Sequence, residues 1–119
     1  MALSPLPADL FDELCPSTLV PFRFGGDKWA GLVLRCLEDG PRRYSELRVP
    51  LHRVTPKVLT RSLRGLERDG LLERTVHTAP SPAVVYALTP LGRSFLAPLD
   101  AACAWASEHW DELLDARER

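Results

Sequence analysis

The chain has 119 residues, 45% of them apolar and 26% charged, with a net charge of −1. That is one domain's length, enough for a modest core, and the balance excludes a disordered or fibrous chain. No apolar run approaches the roughly 18 residues of a membrane span, and the first residues lack the basic-then-apolar pattern of a secretory leader. A cytoplasmic protein with no membrane partner is expected. Cys15, Cys36 and Cys103 fit neither a disulfide framework nor a metal knuckle, so reduced thiols and no metal or cofactor are expected.

In chain order, Pro5 and Pro7 precede a short apolar pattern at Leu10, Phe11 and Leu14. Cys15-Pro16 has the form of a helix start, because proline is pre-organised for the first helical position. After Gly25-Gly26 the spacing of Trp29, Leu32, Val33 and Cys36/Leu37 predicts a helix over 28–38. Gly40-Pro41 ends it. Ser45 is the expected N-cap of a short helix reaching Leu51. Thr55-Pro56 opens the next helix with a cap and an N1 proline, and Asp69-Gly70 closes it.

Two runs of β-formers follow, 72–77 and 83–88, joined by Thr78-Ala79-Pro80-Ser81-Pro82, whose prolines suit an exposed hairpin loop. Thr89-Pro90 repeats the cap-and-proline device and starts a long final helix. Pro98 falls inside that helix and predicts a kink or break near Leu96. The order is mainly α with one small β-hairpin. A helix-turn-helix followed by a two-stranded wing packs such elements compactly.

Charge is unevenly spread. Between Arg42 and Arg68 stand eight cations (Arg42, Arg43, Arg48, Arg53, Lys57, Arg61, Arg64 and Arg68) against Glu46 and Glu67. The front, with Asp9, Asp12 and Glu13, and the tail from Asp100 are acidic. A basic middle between acidic ends is what a local polyanion-binding face produces. A solvated charge run is the plainer reading. On a helical wheel of about 100° per residue, Lys57, Arg61, Arg64 and Arg68 cluster within about 60°. Leu59, Leu63 and Leu66 fall on the opposite side. One face therefore docks on a core while the other offers cations in a shape that fits a major groove. Thr55, Pro56, Lys57, Thr60 and Arg61, in the first turns, are the expected base-reading end. Arg64, Arg42 and Arg43 are expected on phosphates, with Ser45 beside them.

The motifs Gly26-Asp27-Lys28-Trp29, Gly40-Pro41-Arg42-Arg43-Tyr44-Ser45-Glu46-Leu47, Val54-Thr55-Pro56-Lys57-Val58-Leu59-Thr60, Leu66-Glu67, Asp69-Gly70 and Tyr86-Ala87-Leu88-Thr89-Pro90-Leu91-Gly92 occur in order. With Cys15-Pro16 ahead of them, the chain resembles the HxlR-type winged helix-turn-helix regulators over nearly its whole length. The resemblance implies a homodimeric transcriptional regulator whose two recognition helices enter successive major grooves of palindromic double-stranded DNA. It divides a single domain, 1–119, into an N-terminal arm (1–24), a winged-helix core (28–88) and a C-terminal dimerisation helix (89–119). The family's wing commonly carries an arginine or lysine, and a glutamate before the tyrosine. Here Ala83 and Val85 stand in those places, which leaves His77 and loop amides as wing donors.

Some relatives sense electrophiles or oxidants through a cysteine at the position of Cys15. A thiol at a helix N-terminus is drawn toward thiolate, while Asp12 and Glu13 oppose that. A plain packing role at a dimer interface is the alternative, and a small-molecule effector stays open. Cys36 lies on an apolar helix face and reads as core. In the last helix Leu91, Phe95, Leu99, Cys103, Ala106, Trp110 and Leu113 recur every three or four residues. Together with Leu10, Phe11 and Leu14 this stripe reads as a homodimer interface, or else as packing on its own domain. His52, His77 and His109 lie far apart, and no phosphate loop or nucleophile elbow occurs, so no enzyme is expected. A winged helix that binds a protein or a small ligand is the rival reading.

Overall fold

The computed structural model describes residues 3–11, 29–78 and 80–118. The expected helix start at Cys15-Pro16, Leu14 and the first residue of the 28–38 helix lie outside the described residues.

Helix α1 (Ala30–Cys36) is enclosed rather than one-sided. Ala30, Leu32, Val33, Leu34 and Cys36 are all buried, including Leu34, which lies off the expected apolar face. The helix is the centre of the core, with neighbours on every side. Its following turn closes on Gly40, whose φ of +149° lies where L side chains are rarely found. Leu3 of the N-terminal arm packs over this glycine, so a Cβ there would stand 2.9 Å from the leucine methyl.

Strand β1 (Arg42–Arg43) was not expected. It pairs antiparallel with β3 (Ala83–Leu88), which also pairs with β2 (Leu72–His77), giving a three-stranded sheet of order β1-β3-β2. Two adjacent arginines carry no alternation signal, and the pairing exists only because β3 offers a free edge. Helix α2 (Tyr44–Arg48) starts earlier than Ser45 predicts. Its entry is capped from inside the first turn, where the Glu46 carboxylate accepts the Arg43 backbone N–H at 2.8 Å. It also ends before Leu51, because Pro50 has no N–H to continue the ladder. The Arg48 guanidinium then closes the turn on the carbonyls of Leu51 and Val54.

Helix α3 (Pro56–Arg68) has the expected bounds. The Thr55 hydroxyl accepts the Val58 N–H at 3.3 Å, and Pro56 occupies the first position, where a missing donor costs nothing. At the other end the Gly70 N–H bonds the Glu67 carbonyl and the Leu71 N–H the Leu66 carbonyl. This paired closure needs a left-handed residue, supplied by Gly70 with φ +78°.

The final helical segment is three helices: α4 (Pro90–Ser94), α5 (Leu96–Glu108) and α6 (Trp110–Arg117). The first break falls at Phe95, as the proline predicts. Pro98 sits in the first turn of α5, where its absent N–H is harmless. A second break at His109 was not foreseen; its imidazole stacks on Trp105 at 4.8 Å between centroids, with Nδ1 2.9 Å from the Trp105 carbonyl. Helix α5 is fastened to α1 by Arg35, which pairs with Asp100 and Glu38 and reaches the Cys103 sulfur. Leu99 joins the core formed by Leu34, Leu47, Leu59, Leu63, Leu66 and Leu72.

Candidate nucleic-acid interface

Helix α3 splits cleanly by burial. Leu59, Ser62, Leu63, Gly65 and Leu66 are buried. Lys57, Arg61, Arg64 and Arg68 are exposed on the other side, with Pro56 and half-buried Thr60 among them. These six residues line one continuous shallow surface. The core contacts of the leucines set the helix's rotation, so the cations face outward as a consequence of packing.

A second concavity of about 510 Å³ lies beside the first, between α2, α3 and the sheet. Arg43, Tyr44 and Ser45 enter it from the β1–α2 junction, Thr60, Arg64 and Glu67 from α3, and Arg74, Ala83, Val84 and Tyr86 from the sheet. The structure thus brings together Arg43, Ser45, Thr60 and Arg64, all singled out in the sequence. Thr60 and Arg64 border both surfaces. His77, exposed at the end of β2 opposite Ala83, lines neither.

Arg42 is a correction to its expected place on a phosphate. Its side chain is 2% exposed. The guanidinium donates to the Ser4 carbonyl at 2.8 Å and lies 3.6 Å from the Glu46 carboxylate. Register explains the inversion: Arg42 stands opposite Tyr86 and shares its inward face, whereas Arg43 opposite Val85 takes the outward one. Arg74 is the residue that sequence reasoning missed. Its signal was strand alternation from the buried Leu72, which puts Arg74 on the face turned toward α3.

The expected dimer stripe divides. Leu99 and Ala106 are 3% and 0% exposed within the single chain, so they have no surface left for a partner. Phe11, Phe95 and Cys103 are half-buried against the chain's own core. Leu10 is exposed and Trp110 half-buried, while Trp105, outside the expected stripe, is 44% exposed. The stripe's inner edge is spent because Arg35 and Asp100 draw α5 onto α1.

Of the three thiols, Cys15 lies outside the described residues. Cys36 is buried, and burial pushes its thiol up to about 12 against a smaller opposing pull from Arg42. Among the described residues no group of three potential ligands could hold a metal, and no helix is long and apolar enough to cross a membrane.

A cation-faced second helix behind a short first helix, followed by a β-hairpin folded against it, defines a winged helix-turn-helix protein. The chain belongs to the HxlR-like helix-turn-helix family, whose pattern matches residues 25–113. It is therefore a helix-turn-helix transcriptional regulator, of a family that is not enzymatic. It is 43% identical over 94 residues to a helix-turn-helix-type transcriptional regulator of Methanothermobacter thermautotrophicus, covering 79% of this chain and 72% of that one. The regulator YodB of Bacillus subtilis is 32% identical over 97 residues, 82% of this chain and 87% of YodB. Its reduced structure superposes with a TM-score of 0.64 over 70% of this chain and 81% of that one. The redox regulator HypR in its oxidized form gives a TM-score of 0.63 at 34% identity, over 70% and 86% of the two chains.

Proposed function

We propose that the protein acts as a homodimer that binds a palindromic double-stranded operator sequence-specifically, with α3 of each protomer in the major groove. The observation that carries this reading is the exposed row Lys57, Arg61, Arg64 and Arg68 opposite a fully buried leucine row on one helix. An α-helix fits the major groove, and its first turns reach base edges while later cations meet the backbone. Thr55, Pro56, Lys57, Thr60 and Arg61 read bases; Arg64, Arg43 and Ser45 hold phosphates; His77 lies at the wing. Exposed Leu91 and Trp105, with Leu10 and Trp110, support pairing of two copies through the chain's terminal segments.

The test is a mobility shift with the intergenic duplex upstream of the protein's own gene, beside a shuffled duplex of the same length. Tight, salt-sensitive binding to the first and weak binding to the second supports the reading. Equal affinity for both overturns specificity. Sedimentation of the wild type and of a Trp110→Glu variant tests the dimer, with a monomeric wild type as the refuting result.

The regulatory input is an oxidant or electrophile acting through Cys15. Likeness to a redox regulator and to YodB, which has been solved in diamide-treated and quinone-bound forms, supports this reading. Diamide or a quinone then weakens operator binding by the wild type and spares Cys15→Ser. Equal sensitivity of both proteins overturns it.

A further inference from the structure

We propose that the concavity between α2, α3 and the sheet is an anion site that grips one DNA backbone phosphodiester, with Arg74 as its wing-side ligand. The proposal rests on the DNA-binding reading above and adds a contact from the middle of β2, a strand in which the sequence pointed only to His77. Three guanidinium groups, Arg43, Arg64 and Arg74, line this space against the single carboxylate of Glu67. Among the described residues none of the three guanidinium groups stands in an ion pair. Three unpaired cations held by three different elements create a local positive potential that a planar fork can direct onto phosphate oxygens. The hydroxyls of Ser45 and Thr60 stand in the same space as neutral donors.

Two relationships favour a backbone phosphate over a free anion. Arg64 and Thr60 belong both to this space and to the outer face of α3. A duplex seated on that face therefore carries its flanking phosphates across the mouth of the cleft. Arg74 is also pre-positioned. It stands directly opposite Tyr86, which is 7% exposed, so guanidinium and phenol share one face of the sheet. Burial raises the Tyr86 phenol's pKa while the adjacent Arg74 charge opposes the rise, consistent with close approach of the two groups. Tyr86 is thus a positioning residue, and Arg74 takes over part of the wing role that Ala83 and Val85 do not supply.

The experiment compares wild type, Arg74→Gln and Arg74→Lys on the upstream duplex and on the shuffled duplex, across a salt series. Losing one phosphate contact lowers the slope of log affinity against log salt by about 0.9, on both duplexes alike. Over a fourfold rise in salt, the glutamine variant should lose affinity about 3.5-fold less steeply than wild type. Arg74→Lys keeps the charge and should keep the slope. Melting curves of all three check that the sheet is intact, and Thr75→Gln, on the opposite sheet face, serves as a folding-neutral comparison. An unchanged slope in Arg74→Gln, with wild type binding normally, overturns the anion site alone. Wild type that binds neither duplex in a salt-dependent way overturns the DNA-binding reading and the site with it.

Discussion

The Arg42 guanidinium donates to the backbone carbonyl of Ser4 at 2.8 Å, tying the N-terminal arm to strand β1 across 38 residues of sequence. The same group lies 3.6 Å from the Glu46 carboxylate, whose other oxygen accepts the Arg43 N–H at the start of α2. Arm, sheet edge and the first helix of the DNA-binding motif are joined through one buried cation. The Glu46 side chain is 39% exposed, so the ion pair itself is screened, and most of the stabilisation comes from the arm contact and packing of the arginine stem.

Arg42→Met should therefore cost about 1–3 kcal/mol of stability, read from the urea midpoint, since it removes the charge-assisted hydrogen bond that ties the arm to β1. Its salt slope on DNA should stay at the wild-type value. Arg43→Ala should behave oppositely, melting normally and losing about 0.9 of slope. A reduced slope in Arg42→Met at unchanged stability would return Arg42 to the surface.

Replacing Lys57 and Arg61 together with Ala removes the two cations proposed to read bases from the first turns of α3 and touches no core atom. Specific binding should disappear, with the upstream duplex bound no better than the shuffled one, and the melting temperature should move by no more than a degree or two. Retained discrimination between the duplexes would place base reading elsewhere.

Gly92 lies where α4 is pressed onto the turn between α3 and β2. The Thr89 hydroxyl donates to the Gly70 carbonyl at 2.6 Å and accepts from the Gly92 N–H at 3.0 Å. A Cβ on Gly92 would stand 1.8 Å from the Leu71 carbonyl oxygen, which is backbone and cannot swing aside. Gly92→Ala should cost at least about 2 kcal/mol, in the upper part of the usual overpacking range, because the atom it meets is backbone. A near-neutral denaturation curve would show that α4 does not press on the Leu71 backbone.

Burial holds the Cys36 thiol protonated, raised from an ordinary 9.0 to about 12. In native protein near neutral pH, a thiol reagent should label half-exposed Cys103 and leave Cys36 unlabelled until denaturant is added, as peptide mass mapping would reveal. The linkage has a definite sign. The unfolded thiol ionises near 9 while the folded one stays protonated to about 12, so its stabilising contribution is complete below 9 and falls as pH rises through that window. Cys36→Ala should flatten the fall. Prompt native labelling of Cys36 would contradict its burial.

Helix α3 was legible from local chemistry alone. Thr55-Pro56 and Asp69-Gly70 are start and stop devices that act within one helical turn, and the 3.6-residue period fixes which residues oppose which. The break at Phe95 was legible for the same reason, as Pro98 acts on its own preceding turn. Ser45 misled, because a serine ahead of an apolar position looks like a cap whether or not a carboxylate three residues beyond the true cap competes for that end. Glu46 won through a contact that starts from Arg43.

By itself, then, the sequence determined the helix-turn-helix, the hairpin, the cation row on α3 and the family to which the chain belongs. Only the tertiary structure decided which of two adjacent arginines points inward, since that depends on pairing of Arg42 with Tyr86 across more than forty residues. It likewise placed Arg74 in the cleft and withdrew Leu99 and Ala106 from the expected interface. The physical reason is common to all three. Periodicity states which residues share a face, whereas the direction in which that face points is set by what packs against it.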